Sequence, residues 1–198
     1  MMLDGLKECF YKNVFCDKVL PRPGSVLKID LVLNPIGSLC HTGIYVGNNR
    51  IVELANVDGT GVIKKVSPRC FLNYSSLRTG IFIYVACGRK NGKYYPLADP
   101  KIAERALNAV GHKTEYDFLR DNCHLFVEYC ITGKRHSLIG TLENIEERLT
   151  RKFRLPKSSL SMEDIPEILV NPASSCLRQI PVYWMSTGVG SNGAFPAD

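Results

Sequence analysis

Between His41 and Ala55 the chain reads Thr42-Gly43-Ile44-Tyr45-Val46, then Gly47-Asn48-Asn49, then Arg50-Ile51-Val52-Glu53-Leu54. Two β-forming runs joined by so few residues, all of them turn formers, have to fold back on each other as an antiparallel hairpin. That hairpin sets the character of the first half. Val26 to Leu33 reads as a strand, placed after the Pro21-Arg22-Pro23-Gly24-Ser25 punctuation and ended by Asn34-Pro35 and Gly37. Gly61 to Val66 and Gly80 to Ala86 read as two more. Short strands with tight turns between them predict an antiparallel sheet.

The second half turns helical. Asp99 is a good N-cap, Pro100 suits the first helical position, and Gly111 supplies a stop. Between them Ile102, Ala103, Ala106, Leu107 and Val110 recur at helical spacing, which predicts one apolar face. A second helix is expected from about Asn122 to Ile131, ended by Gly133, with Phe126, Val127 and Cys130 on its buried side. Thr141 to about Phe153 reads as a basic amphipathic helix with Leu142, Ile145, Leu149 and Phe153 on one side. The fold class is therefore α+β. Residues 1–20 form an N-terminal segment with room for a short helix, and 21–155 form the main domain. Residues 156–198, with prolines at 166, 172, 181 and 196, read as an appendage strapped on through Ile180 to Met185, its last ten residues loose.

Composition narrows the class of function. The 198 residues are 45% apolar and 22% charged with net charge +6, a globular and moderately basic chain. Such a charge could favour an anionic membrane surface, but no aromatic-plus-basic motif points to nucleic acid, so none is expected as a partner. No apolar stretch approaches the roughly 20 residues that span a bilayer. The first twenty residues carry Asp4, Lys7, Glu8, Lys12, Asp17 and Lys18, so no signal-peptide core can form there. The expectation is a soluble, cytoplasmic protein whose eight cysteines, with no CxxC pair among them, stay reduced.

The segment Asp121-Asn122-Cys123-His124-Leu125-Phe126-Val127-Glu128 carries the chemistry. It sets a cysteine at a helix start, directly after two residues able to cap it. The partial positive charge and unpaired N–H groups there favour thiolate over thiol. The same N–H groups, around Asn122, Cys123 and His124, can receive the oxyanion formed when a thiolate attacks a carbonyl. A buried structural cysteine that merely begins a helix fits this segment equally well.

A nucleophile needs a base, and the chain has four histidines, at 41, 112, 124 and 136. His124 follows Cys123 on the same helix, so their side chains diverge by about 100° and should not form a working pair. His112, past a helix stop, and His136, among Lys134 and Arg135, read as surface residues. His41 opens a rigid strand, a suitable mount for a base. If Gly47-Asn48-Asn49 is a three-residue loop, Val46 pairs with Arg50 and Gly43 faces Glu53. His41 and Glu53 then share a face as diagonal neighbours about 7 Å apart at the backbone. The glycine would leave room for the carboxylate to lean toward the ring. A two-residue loop at Asn48-Asn49 would put Glu53 on the other face unless a bulge intervened.

These residues match a family. His41-Thr-Gly-Ile-Tyr-Val-Gly-Asn-Asn-Arg-Ile-Val-Glu53 resembles the histidine strand-turn-strand of the lecithin–retinol acyltransferase-like proteins, with a spacing of twelve between its polar positions. Tyr116-Asp-Phe-Leu-Arg-Asp-Asn-Cys123-His-Leu-Phe-Val resembles their asparagine–cysteine box, including the tyrosine seven residues before the cysteine. The resemblance covers about residues 21 to 133. It implies a circularly permuted papain-like core of the NlpC type, with histidine before cysteine in the chain and the sheet packed on the cysteine helix. It also implies an acyl-thioester on Cys123, with His41 as base and Glu53 as the orienting residue, and no cofactor or metal. A metal site from Cys123, His124 and Cys130 would lack regular ligand spacing.

Departures from the family pattern bear on substrate. Lipid-acting members usually have a second histidine where this chain has Glu53, and Asn-Cys-Glu-His where it has Asn122-Cys123-His124-Leu125. They often carry an aromatic residue where it has Thr42. An acyl-bearing lipid or peptide is the expected partner. Residues 134 to 157 hold seven Lys/Arg against three Glu, so peripheral contact with an anionic membrane is a further expectation. Two other readings stand beside acyl transfer: an NlpC-type peptidase or amidase, and a papain-like scaffold kept for binding.

Overall fold

The computed structural model describes residues 18–31, 40–73, 82–117, 122–134, 138–156, 181–189 and 193–195. Eight strands form one sheet: β1 (Val26–Asp30), β2 (Cys40–Gly47), β3 (Arg50–Val57), β4 (Thr60–Val66), β5 (Tyr84–Lys90), β6 (Lys93–Pro96), β7 (Lys113–Glu115) and β8 (Tyr183–Ser186). Their order is β6-β5-β1-β2-β3-β4-β7, with β8 paired to β5. Every pairing is antiparallel. Among the described residues four helices accompany them: α1 (Pro68–Asn73), α2 (Pro100–Asn108), α3 (Cys123–Thr132) and α4 (Leu142–Phe153). This is the α+β, permuted papain-like arrangement, with an antiparallel sheet packed against helices.

Alternation along the strands feeds two cores, one on each face. Val26, Ile44, Val52 and Leu54 meet Ile102 and Ala106 of α2, Phe126 and Val127 of α3, and Ile145 and Leu149 of α4. Leu27, Ile29, Tyr45, Ile51 and Val85 on the opposite face meet Phe71 and Leu72 of α1. Coverage of both faces explains why β2 is buried along nearly its whole length.

The helix ends follow the local chemistry. The Lys101 N–H donates to Asp99 Oδ1 at 2.9 Å, which caps α2. The Leu125 N–H donates to Asn122 Oδ1 at 3.0 Å, which caps α3. Gly133, at φ +77°, closes α3 in the left-handed conformation that a side chain would resist. Thr141 caps α4 through the Asn144 N–H. Leu107 on α2 and Val110 just past its end, however, are 41% and 39% exposed. The predicted apolar face is thus narrower, and only Ile102, Ala103 and Ala106 within the helix are buried.

Of the two hairpin forms left open, the structure has the two-residue loop with a bulge. The β2–β3 loop has two residues, Asn48 and Asn49, both at positive φ (50° and 55°), and Gly47 pairs with Arg50. The register then shifts between Tyr45 and Gly47, so Tyr45 pairs with Ile51 and Ile44 with Val52. A two-residue turn plus one bulged residue restores the parity of a three-residue loop, and Glu53 stays on the face of His41. The chain's end is not loose throughout: Phe195 is buried against the Tyr45 ring, centroids 4.9 Å apart, and its N–H donates to Asn49 Oδ1. Val189 is buried as well. Among the described residues β1 covers Val26–Asp30, and β5 spans Tyr84–Lys90 where Gly80 to Ala86 was expected. The possible N-terminal helix, Leu33, Gly80 and Ile180 lie outside the described residues. Among the described residues, no helix is long and apolar enough to cross a membrane.

Candidate active site

His41 is the second residue of β2 and pairs across β1 with Ile29. Its Nε2 lies 2.7 Å from Glu53 Oε2, and the Glu53 side chain is fully buried. The other carboxylate oxygen faces Lys64 Nζ at 3.8 Å, on the β4 residue that pairs with Glu53. The Phe71 ring packs on the imidazole with centroids 5.3 Å apart. Gly43 serves a different purpose from the one expected. A Cβ there would stand 2.9 Å from Phe71 Cε2 and 3.0 Å from Ile51 Cγ2, so the bare position admits Phe71 to the face of the ring.

Cys123 is the first residue of α3, and its thiol shares a hydrogen bond with the His41 ring and accepts another from the Thr42 N–H. With Nε2 engaged by Glu53, Nδ1 is the ring nitrogen left for the thiol. The ring thus stands between sulfur and carboxylate, the order that a Cys-His-Glu triad requires. Burial works against the Cys123 thiolate, but the electrostatic influence of His124 and His41 and the two hydrogen bonds outweigh it, lowering the pKa to about 5. Burial also works against the His41 cation. Cys123 and Glu53 overcome it and raise the pKa above the usual histidine value. Each shift favours the charged form of its group, thiolate for Cys123 and imidazolium for His41.

A second cysteine–histidine contact lies beside the first. Cys40, which opens β2, has its Sγ 3.4 Å from His124 Nε2. Burial pushes the Cys40 thiol up to about 12, so it stays protonated, and its contact holds the His124 ring next to Cys123. Sequence reasoning set His124 aside because adjacent helical residues diverge; its ring Nε2 contacts Cys40. Its influence on Cys123 is electrostatic. Nothing in the sequence singled out Cys40 among eight cysteines. Thr42, at the family's aromatic position, is fully buried, and its Oγ1 has no hydrogen-bond partner among the described residues. His112 is exposed, and His136 lies outside the described residues. Among the described residues, no three His, Cys, Asp or Glu side chains gather as a metal would require.

The comparisons with known proteins agree with this geometry. The family model described as lecithin retinol acyltransferase matches residues 20–136. Human "Phospholipase A and acyltransferase 3" is 30% identical over 115 residues, covering 54% of this chain and 68% of that protein. The rat protein "Phospholipase A and acyltransferase 5" is 28% identical over 115 residues, covering 54% of this chain and 37% of its own. The chain belongs to the lecithin retinol acyltransferase family, and its enzyme class is that family's cysteine-dependent acyl transfer and hydrolysis.

Proposed function

We propose that Cys123 is the nucleophile, His41 its base and Glu53 the residue that orients and charges the imidazole, in an enzyme acting on the acyl esters of phospholipids. The observation that carries this reading is the buried His41 ring, bonded to the Cys123 thiol and to the Glu53 carboxylate at once. The Cys123 thiolate attacks the ester carbonyl, forming a C–S bond while the carbonyl oxygen takes the electron pair. Backbone N–H groups in the first turn of α3, around Asn122, Cys123 and His124, hold that oxyanion. Its collapse expels the lyso-phospholipid alkoxide, which takes the proton from the His41 imidazolium. Neutral His41 then removes a proton from water or an acceptor amine or hydroxyl, which attacks the thioester and releases the thiolate.

The phospholipid assignment draws on the names of the relatives, phospholipase A and acyltransferase. It also draws on a surface feature. Leu138 and Ile139 are 89% and 53% exposed, in a turn tied to the cysteine helix where Asn122 Nδ2–H donates to the Gly140 carbonyl. An exposed apolar pair there, within a stretch of net charge +4, suits peripheral contact with an anionic bilayer. Residues 21–155 would form the catalytic unit, completed by β8 from the segment 156–198. Cys40, Cys87, Cys123 and Cys130, none of them in a disulfide, suit a reducing, cytoplasmic location.

The test is incubation of the purified chain with vesicles of defined phospholipid, with and without an amine acceptor. Release of fatty acid or transfer to the acceptor is expected, both abolished in Cys123→Ser. Cleavage of a peptide panel with no action on any ester would replace this reading with the peptidase one.

A further inference from the structure

Two thiols meet the start of one helix. Cys123 opens α3, and its sulfur accepts a hydrogen bond from the Thr42 N–H of β2. Cys40 opens that same strand two residues earlier, so it shares a sheet face with Thr42. Its Sγ lies 3.4 Å from Nε2 of His124, the residue that follows Cys123. The first residues of β2 and the first turn of α3 therefore hold both sulfurs between them, close enough for the charge of Cys123 to act on Cys40.

The two differ in reactivity. With its pKa lowered to about 5, Cys123 favours the thiolate at neutral pH, the form that peroxides oxidise. Cys40, pushed up to about 12 by burial, stays a thiol and does not compete for the oxidant. Cys130 lies seven residues beyond Cys123, ~10 Å along the helix axis. Cys87 is on β5, two strand spacings or ~10 Å from β2. Cys40 touches the first turn of α3 itself, and its contact is a ring nitrogen able to take its proton.

We propose that Cys40 and Cys123 form a reversible disulfide when a hydroperoxide oxidises Cys123, which suspends acyl chemistry and protects the nucleophile. This rests on Cys123 as the reactive thiolate, whatever the acyl substrate. In the first step the thiolate attacks one peroxide oxygen, the O–O bond breaks, and Cys123 becomes a sulfenic acid. With hydrogen peroxide the expelled group is hydroxide, which takes the proton of the His41 imidazolium. In the second step His124 Nε2 takes the Cys40 proton and the Cys40 sulfur attacks that of Cys123. The S–S bond forms, the S–O bond breaks, and the departing hydroxide recovers the proton from His124. The two cysteines together lose two electrons, and the peroxide becomes two waters. The movement required is a swing of the Cys40 side chain about χ1, from His124 toward the preceding residue of the same turn. Capture stops Cys123 at a stage that thiols can reduce, short of sulfinic acid.

The experiment treats the full chain with a slight excess of hydrogen peroxide, quenches with N-ethylmaleimide, and maps the unreduced peptides by mass spectrometry. Acylation by p-nitrophenyl acetate is read on the treated protein before and after dithiothreitol. A Cys40–Cys123 linked peptide is expected, with an acylation rate that dithiothreitol raises by about tenfold or more. In Cys40→Ser the same peroxide should carry Cys123 to sulfinic acid, which dithiothreitol does not reduce, so recovery should stay below about twofold. Each recovery is a ratio within one protein, so a slower variant does not imitate the result. The linked peptide is read in the parent, so the test survives a variant that fails to fold. Cys123 as sulfinic acid beside an alkylated Cys40, Cys123 linked to another cysteine, or equal recovery in Cys40→Ser overturns the proposal. Cysteines left untouched by peroxide in a protein that still acylates at Cys123 overturn it alone. A linked peptide in a protein that no ester acylates would remove the acyl reading of Cys123 and leave the disulfide standing.

Discussion

Glu53→Gln probes the site with little change of shape. The carboxylate is fully buried, 2.7 Å from His41 Nε2, and its ring partner is in turn bonded to Cys123. The amide keeps a hydrogen bond to the ring but removes the negative charge that helps raise the His41 pKa. Removing one partner of a buried pair costs about 3–5 kcal/mol, and the retained hydrogen bond argues for the lower end. At about 1.4 kcal/mol per decade, that is a loss of roughly a hundredfold in the rate of Cys123 acylation. Lys64, 3.8 Å from the other oxygen and 24% exposed, keeps access to water, so its loss of Glu53 adds little. The assay is stopped-flow acylation by p-nitrophenyl acetate, paired with iodoacetamide alkylation of Cys123 between pH 4 and 9. In the parent protein, alkylation should rise with a midpoint near the Cys123 pKa of about 5. In Glu53→Gln the midpoint should move toward neutrality. A variant that acylates within threefold of the parent with the same midpoint would refute the role given to Glu53.

Further outcomes follow from the same contacts. His124→Gln removes the largest favourable charge acting on Cys123, so the alkylation midpoint should rise above about 5; His124→Lys should restore part of the shift, which a purely structural role would not produce. Acylation in the parent should follow a bell-shaped pH profile. The thiolate forms as pH rises through about 5, and the imidazolium that protonates the leaving group is lost as pH rises through the raised His41 pKa, so the falling limb should lie above the ordinary histidine value of 6.5. Thr42→Val should raise stability by about 1 kcal/mol in urea denaturation, because it removes a buried hydroxyl without a partner among the described residues.

What the sequence revealed depended on how local each determinant is. Helix α3 was legible because its cap, Asn122, and its stop, Gly133, act within one turn of the residues they govern. The hairpin carrying His41 and Glu53 was legible in its existence and in its consequence, but not in its turn. Two asparagines at positive φ form the tighter loop, and a bulge at Val46 compensates, set by packing on both faces of β2. Strand β6 was overlooked although Asn91-Gly92 is a strong hairpin signal, because Lys93–Pro96 is short, polar and ends in proline. Leu107 and Val110 had the right spacing for a buried face, yet both stay more than a third exposed, Val110 lying past the helix end at Asn108. The contact of Cys40 with His124 joins residues 84 apart and exists only once α3 has docked on β2.

The account stands or falls on where an acyl group is first held. Full-length protein mixed with p-nitrophenyl octanoate, quenched in acid within the first turnover and mapped by peptide mass spectrometry, locates that bond directly. A single octanoyl group on Cys123, labile to neutral hydroxylamine as a thioester is, and missing from His41→Ala, is the predicted result. An octanoyl group on Cys40, or none on Cys123 while ester is still consumed, would contradict it.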